Sequence, residues 1–150
     1  MLLRPATRAD LPVLLEFEQG VVLSERPFNP TLKPDPISYY DIGALIDADT
    51  AEVVVVVDGE TIVASGYARE KPTVAYVEPD AYCYLGFMYV RPAYRGKGIN
   101  KMVVDYLLAW GRARGLTEAR LEVYSENVGA IRAYEKAGFA GLMLEMRLEM

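Results

Sequence analysis

The chain has 150 residues, 52% of them apolar and 25% charged, with a net charge of −5 and a sequence pI near 4.8. That balance fits one folded domain spanning 1–150 and excludes a disordered chain, a membrane-spanning run of about 20 apolar residues and a broad basic surface for nucleic acid. A single cysteine, Cys83, and the absence of histidine exclude an internal disulfide and a zinc ligand set, and remove the usual neutral-pH acid and base.

The beginning, Met1 to Arg8, has no apolar core of a secretory signal, so the expected compartment is the cytoplasm. Leu2 and Leu3 before Arg4-Pro5 read as a short strand. Thr7 to Asp10 then reads as a helix start, with a carboxylate where the N-terminal dipole favours it, and the apolar positions Leu11, Leu14 and Leu15 carry that helix to about Gln19-Gly20. From Glu25 to Pro36 four prolines rule out regular helix or a central strand, which leaves a rigid connector or the wall of a pocket.

Ser38 to Asp47 reads as a second short helix with Tyr39, Ile42, Leu45 and Ile46 on its apolar side. Glu52 to Val57, Asp58-Gly59 and Thr61 to Tyr67 form the pattern of a tight antiparallel hairpin. A strand from about Ala81 to Val90 follows, with Gly86 inside it marking a bulge or a close approach. Met102, Val103, Tyr106, Leu107 and Trp110 recur at helical spacing and Gly115 ends that helix. Ala119 to Tyr124 alternates as a strand, Asn127 to Ala137 reads as a helix stopped by Gly138, and Phe139 to Met150 supplies one or two closing strands. The expected order is β-α-α-β-β-β-α-β-α-β, a mixed α/β domain whose first half is antiparallel and whose second half contains a strand-helix-strand crossover.

The turn between the strand ending at Val90 and the following helix reads Arg95-Gly96-Lys97-Gly98-Ile99-Asn100. A helix start exposes amides without intrahelical partners, glycines let an anion approach them, and Arg95 and Lys97 add charge. These residues suit a pyrophosphate. A nucleotide-hydrolase P-loop is excluded by spacing and by the missing hydroxyl. A dinucleotide fingerprint fares poorly because Lys101 stands where its third glycine belongs and the chain before the turn is antiparallel. An ordinary basic turn opening a helix remains open on these six residues alone.

A second constellation lies downstream. With Tyr89-Val90-Arg91-Pro92 leading into it, the turn resembles the Arg/Gln-x-x-Gly-x-Gly/Ala motif of the GNAT superfamily, the Gcn5-related N-acetyltransferases. That family's later motif, Asn-x-x-Ala-x-x-x-Tyr-x-x-x-Gly-Phe, is matched by Asn127, Ala130, Tyr134, Gly138 and Phe139. Leu3 to Asp10 also resembles the family's beginning, and the resemblance is weak between about 20 and 50. One departure is Asn100, where the family prefers glycine or alanine.

The resemblance implies a single-domain GNAT-like fold, a mixed, mostly antiparallel twisted sheet flanked by helices, with a splayed central strand pair. It implies acetyl-CoA as cosubstrate, its pyrophosphate on the amides of Arg95, Gly96, Lys97, Gly98, Ile99 and Asn100, and its pantetheine arm beside Met88, Tyr89 and Val90. It implies direct attack of a primary amine on the thioester, with a small molecule or a peptide as the amine, and by analogy it allows a homodimer through the last strand. Asn127 and Tyr134, seven apart on a helix, share a face about 10 Å apart along the axis, so Asn127 can hold the arm while Tyr134 protonates the departing thiolate. Many members place a glutamate on the strand before Val-x-Pro, whereas Tyr84 to Met88 offers no carboxylate here. Glu78, Asp80 or Glu122 through water, or Tyr82 or Tyr84 as relays, are then the groups left to take the ammonium proton. Cys83 as nucleophile is disfavoured, because nothing in its sequence neighbourhood lowers its pKa. A non-catalytic acyl-CoA-binding or sensing module is the competing reading.

Overall fold

In the computed structural model, which describes residues 1–150, β1 (Leu2–Pro5), β2 (Ala51–Asp58), β3 (Thr61–Pro72) and β4 (Ala81–Val90) pair antiparallel in chain order. β5 (Ala119–Arg120) joins parallel to β4. The valine run of β2 follows from its interior place in this sheet, between β1 and β3. Val54 and Val56 are buried on one face against α3 (Ile99–Ala113), beside Val103 and Leu107, while Val53 and Val55 are buried on the other against α1 (Leu11–Glu25), beside Leu14 and Phe17. A strand covered on both faces needs apolar residues at every position rather than alternate ones.

The expected α/β architecture is therefore present, with several boundaries moved. α1 continues past Gly20 to Glu25, because Val21 and Val22 are buried and Gly20 is a point of close approach, its missing Cβ leaving room for the Tyr89 ring at 2.5 Å. The second helix, α2 (Ile42–Asp47), is shorter than the pattern from Ser38 implies: Asp41 caps it, its Oδ1 accepting the Ala44 amide at 3.2 Å. The strand expected from Ala119 to Tyr124 is paired only at its first two residues. No closing strand forms between Phe139 and Met150, although the residues there alternate correctly. α4 (Val128–Lys136) lies where expected, and Gly138 ends it with φ 102°.

The bulge in β4 falls one residue after the glycine expected to mark it. Register between β3 and β4 shifts between Ser65 and Tyr67, Gly86 still pairs with Tyr67, and Phe87 takes φ 57°. Gly86 is instead the close-approach point, since a Cβ there would meet the Tyr67 ring at 2.5 Å. The extra residue re-phases the strand. Phe87 and Tyr89 thereby turn to the α1 face while Met88 and Val90 turn to the α3 face. On that face Gly66 lets α3 lie directly on the sheet, for a Cβ at 66 would come within 2.6 Å of Val103.

The first turn of the chain is fixed by a buried carboxylate. Asp10 accepts from Arg4 through both oxygens at 2.8 and 3.0 Å and from the Thr7 amide at 2.8 Å. The Arg4 hydrogen bond holds the Asp10 carboxyl below its ordinary 3.8, against burial, which acts to raise it. Its contribution to stability is complete above that unfolded value and is lost as pH falls through the lower folded one. Asp10→Asn should cost about 1–3 kcal/mol at neutral pH in denaturant unfolding, and the difference from the unaltered protein should shrink below pH 4.

Candidate active site

The sheet opens where β4 and β5 part. They pair at Cys83 with Ala119 and at Tyr84 with Arg120, and no pairing extends further. Beyond that point the β5-facing edge of β4, from Leu85 to Val90, has no strand against it, and this is the splayed pair the sequence led us to expect. Met88, Tyr89 and Val90 line it. The Tyr89 ring is held away on α1, 4.6 Å from Phe17, so only its backbone faces the cleft. The Val90 carbonyl already accepts the Arg95 Nε at 2.9 Å.

At the wide end of the cleft the chain makes a one-turn helix, Pro92–Tyr94, and then the glycine turn. Gly96 and Gly98 have φ of 76° and 79°, a conformation that favours glycine, and both face open space. Ile99 is buried and anchors the start of α3, while Arg95 and Lys97 are exposed. The amide of Arg95 donates to the Pro92 carbonyl at 3.3 Å, which takes it out of the expected anion cradle. The amides of Gly96, Lys97, Gly98, Ile99 and Asn100 have no backbone acceptor. The group of donors thus begins one residue later than the motif suggests.

Across the cleft, Tyr134 is half-buried on α4, with Phe139 edge-on to its ring at 5.9 Å. Burial raises the Tyr134 phenol above 10, with the nearby Asn100 side chain acting the other way. The residue that departs from the family pattern is therefore a neighbour of the candidate acid. Asn127 does not point freely into the cleft: its Oδ1 caps α4 by accepting the Ala130 amide at 3.3 Å.

The opposite side of β4 carries an aromatic cluster in which Tyr39 and Tyr40 meet Tyr67 and Phe87. Tyr40 lies edge-on to Tyr67 at 5.5 Å and 5.3 Å from Phe87, and Tyr39 is 5.7 Å from Tyr40. Glu18, fully buried, holds this segment by accepting the amides of Tyr39 and Tyr40, both at 2.9 Å on one oxygen. Its apolar surroundings in the sequence, between Phe17 and Val21, gave no sign of that task. Phe28 stacks on Tyr124 at 6.4 Å, and Asn29 donates to the Tyr124 hydroxyl at 3.0 Å, so the proline-rich connector is the wall of this region.

Glu25, at the end of α1, is the carboxylate facing this cluster. Burial raises it above its ordinary 4.5, with Tyr39 acting the other way. The Tyr39 hydroxyl is buried without a well-formed hydrogen bond, and burial followed by the Glu25 charge pushes it up to about 12. The carboxylates named from sequence are placed less well. Glu78 and Asp80 are exposed in the β3–β4 connection. Glu122 accepts from the Tyr84 hydroxyl at 3.3 Å, and the Tyr84 ring is already covered by Lys71 at 4.1 Å. The Tyr82 ring is covered by Arg120 at 4.2 Å. Cys83 is buried and its thiol is raised by that burial, which opposes a nucleophilic role.

Comparison with known proteins agrees with the fold. Residues 19–139 match the acetyltransferase (GNAT) family, and the chain belongs to that family. It is 30% identical over 100 residues to an aminoglycoside N(6')-acetyltransferase type 1 of Stenotrophomonas maltophilia, covering 64% of this chain and 63% of the other. It is 39% identical over 59 residues to the streptothricin acetyltransferase of Streptomyces lavendulae, covering 39% of this chain and 31% of that one. The chain thus matches less than two thirds of either relative. Among solved structures, a tetramutant of the BH1408 protein of Bacillus halodurans superposes over 100% of both chains with a TM-score of 0.88 at 20% identity. A predicted acetyltransferase of Clostridium acetobutylicum, solved with acetyl-CoA, superposes over 99% of this chain and 95% of the other, with a TM-score of 0.72 at 19% identity.

Proposed function

We propose that the protein transfers the acetyl group of acetyl-CoA directly to the primary amine of a cationic small molecule or peptide. The observation that carries this reading is the parting of β4 from β5 between the open amides after Arg95 and the half-buried Tyr134. A coenzyme laid there has its pyrophosphate on the amides from Gly96 to Asn100, its arm along Met88 to Val90, and its sulfur toward the Tyr134 hydroxyl. The Met88 region of the backbone then lies beside the thioester carbonyl, where an amide can stabilise the tetrahedral oxyanion. As the carbon–sulfur bond breaks, Tyr134 gives its proton to the thiolate.

The amine enters from the aromatic side. Rings of Tyr39, Tyr40 and Tyr124 with the Glu25 carboxylate suit an ammonium through cation–π and Coulomb attraction, in a chain whose net charge is −5. Glu25, directly or through water, takes the ammonium proton before attack. Its raised pKa makes it a better base than an exposed glutamate and places the rising limb of the rate above pH 4.5. Aminoglycoside and streptothricin amines belong in the first panel, since relatives carry those names.

The test is free-thiol release from acetyl-CoA against primary amines, with coenzyme binding followed in parallel by calorimetry. Amine-dependent release supports transfer, whereas binding with no release across the panel would favour the sensing module. Glu25→Gln should lower kcat/KM about 100-fold, keep coenzyme affinity, and remove the low-pH limb of the profile. An unchanged pH profile would take the role of base away from Glu25.

A further inference from the structure

Beyond the aromatic cluster, the same face of the sheet carries two cations that acetyl transfer as described above leaves unused. Arg69 and Lys71 alternate with Ala68 and Glu70 along β3, so both project on the α1 face together with Tyr67. Arg69 stands opposite Tyr84 in the ladder, and Lys71 Nζ lies 4.1 Å over the Tyr84 ring. Neither side chain forms an ion pair, and the Arg69 Nε is buried with no acceptor. Glu70, between them in sequence, faces the other way and pairs with Arg114 at 3.2 Å.

This sets the two residues apart from the other cations of the chain. Lys33, Lys97, Lys101 and Lys136 are exposed, and so are Arg112 and Arg132, the other arginines without a hydrogen-bond acceptor, whereas Arg69 and Lys71 are half-buried. A cation in that position loses hydration with no counter-charge to compensate. Burial, and then the Arg69 charge, lowers the Lys71 ammonium from its ordinary 10.5, while Glu122 acts the other way. Glu122 is engaged with the Tyr84 hydroxyl at 3.3 Å, and Arg120, over the Tyr82 ring, is paired with Glu118 at 2.7 Å. Arg69 and Lys71 against Glu122 leave a local surplus of a single positive charge, in a chain whose net charge is −5.

The surplus lies at one end of a row of rings. Tyr40 is 5.3 Å from Phe87 and 5.5 Å from Tyr67, Tyr67 is 6.2 Å from Tyr84, and Tyr84 lies under Lys71. Glu25, the proposed base, stands at the opposite end beside Tyr39. From Phe87, next to the backbone that faces the thioester, to Tyr84 is three residues of strand, or about 10 Å. The row therefore has a negative pole where the amine reacts and a positive pole about 10 Å away.

We propose that Arg69 and Lys71 form a carboxylate subsite, and that the acceptor is a long-chain amino carboxylate acetylated on its ω-amine. A single carboxylate bridging the Arg69 guanidinium and the Lys71 ammonium matches the surplus charge. An extended chain advances about 1.2 Å per bond, so about eight bonds separate the two ends of such an acceptor. An α-amino acid, with its amine and carboxylate on one carbon, reaches one pole or the other but not both. The subsite deepens the acetyl-transfer reading and rests on it for the amine that reacts.

The test compares ω-aminooctanoate with ω-aminooctanamide, which differ in the charge of the far end, on the full chain loaded with coenzyme A. Calorimetry should show the carboxylate binding about tenfold more tightly than the amide. Arg69→Gln and Lys71→Gln should each weaken the carboxylate and leave the amide unchanged, and γ-aminobutanoate, too short to reach both poles, should bind more weakly than ω-aminooctanoate. Equal affinity for the two long ligands, binding of neither, or a preference that survives both substitutions would overturn the proposal. Thiol release from acetyl-CoA with the same two acceptors separates this subsite from the reaction. A carboxylate preference in binding with no release keeps the subsite and counts against acetyl transfer, whereas release from both acceptors with no preference keeps the reaction and removes the subsite.

Discussion

Gly98→Trp will weaken coenzyme binding by about 100-fold or more in calorimetry, the loss of one or two charge-assisted hydrogen bonds, while the protein stays folded. Both halves of that expectation come from position 98. Its φ of 79° aims the following amides out of the turn, and a Cβ there would meet no atom within 4 Å. An indole therefore projects into the space where a pyrophosphate has to lie rather than into the core. The left-handed conformation itself costs a non-glycine residue about 1–2 kcal/mol, too little to unfold a domain of this size. Gly98→Ala separates the two effects, carrying the conformational cost without the bulk, and should bind nearly as well as the unaltered protein. Unchanged affinity in the tryptophan variant would remove the turn from the coenzyme site and the acetyl-transfer reading with it.

Features written into consecutive residues were legible before the fold was known. The hairpin around Asp58-Gly59, the β-branched middle strand, the helix opening after Gly98 and the Gly138 stop all depend on local backbone preference, and each is found where the residues place it. The glycine turn and the Asn127 to Phe139 motif are local in the same way. What the sequence hid depends on distant contacts. Gly20 looked like the end of α1, and only the Tyr89 ring lying across it shows that it is a contact point. Gly86 reads as a bulge or a close approach, and only the Tyr67 ring beside it decides for the second, while the register slips at its neighbour. Glu25 and Glu18 are ordinary charged positions on paper. They gain their roles from residues 14 to 22 positions away, Tyr39 and Tyr40, which the proline-rich connector folds back onto α1. Alternation from Leu142 to Met150 describes a strand that the chain does not form, because pairing needs a free edge and alternation alone does not supply one.

For Tyr134→Phe the expected result is a fall in kcat of about 100-fold or more with coenzyme affinity changed less than about threefold. The phenol is raised above 10 by burial, so it is protonated across the neutral range and stays able to donate to a thiolate at higher pH than an exposed tyrosine would. Loss of its hydroxyl leaves the Phe139 contact and the α4 cap untouched, since neither uses that oxygen. The rate of the unaltered enzyme should accordingly hold on the alkaline side until pH exceeds 10, and the phenylalanine variant should lose that titration altogether. Asn100→Ala supplies the companion measurement. Because the Asn100 side chain acts to lower the phenol, its removal should move the alkaline limb upward while leaving the acid in place. Equal losses in turnover and affinity on Tyr134→Phe would make the tyrosine a binding residue, and the thiolate would then have to take its proton from water entering the gap between β4 and β5.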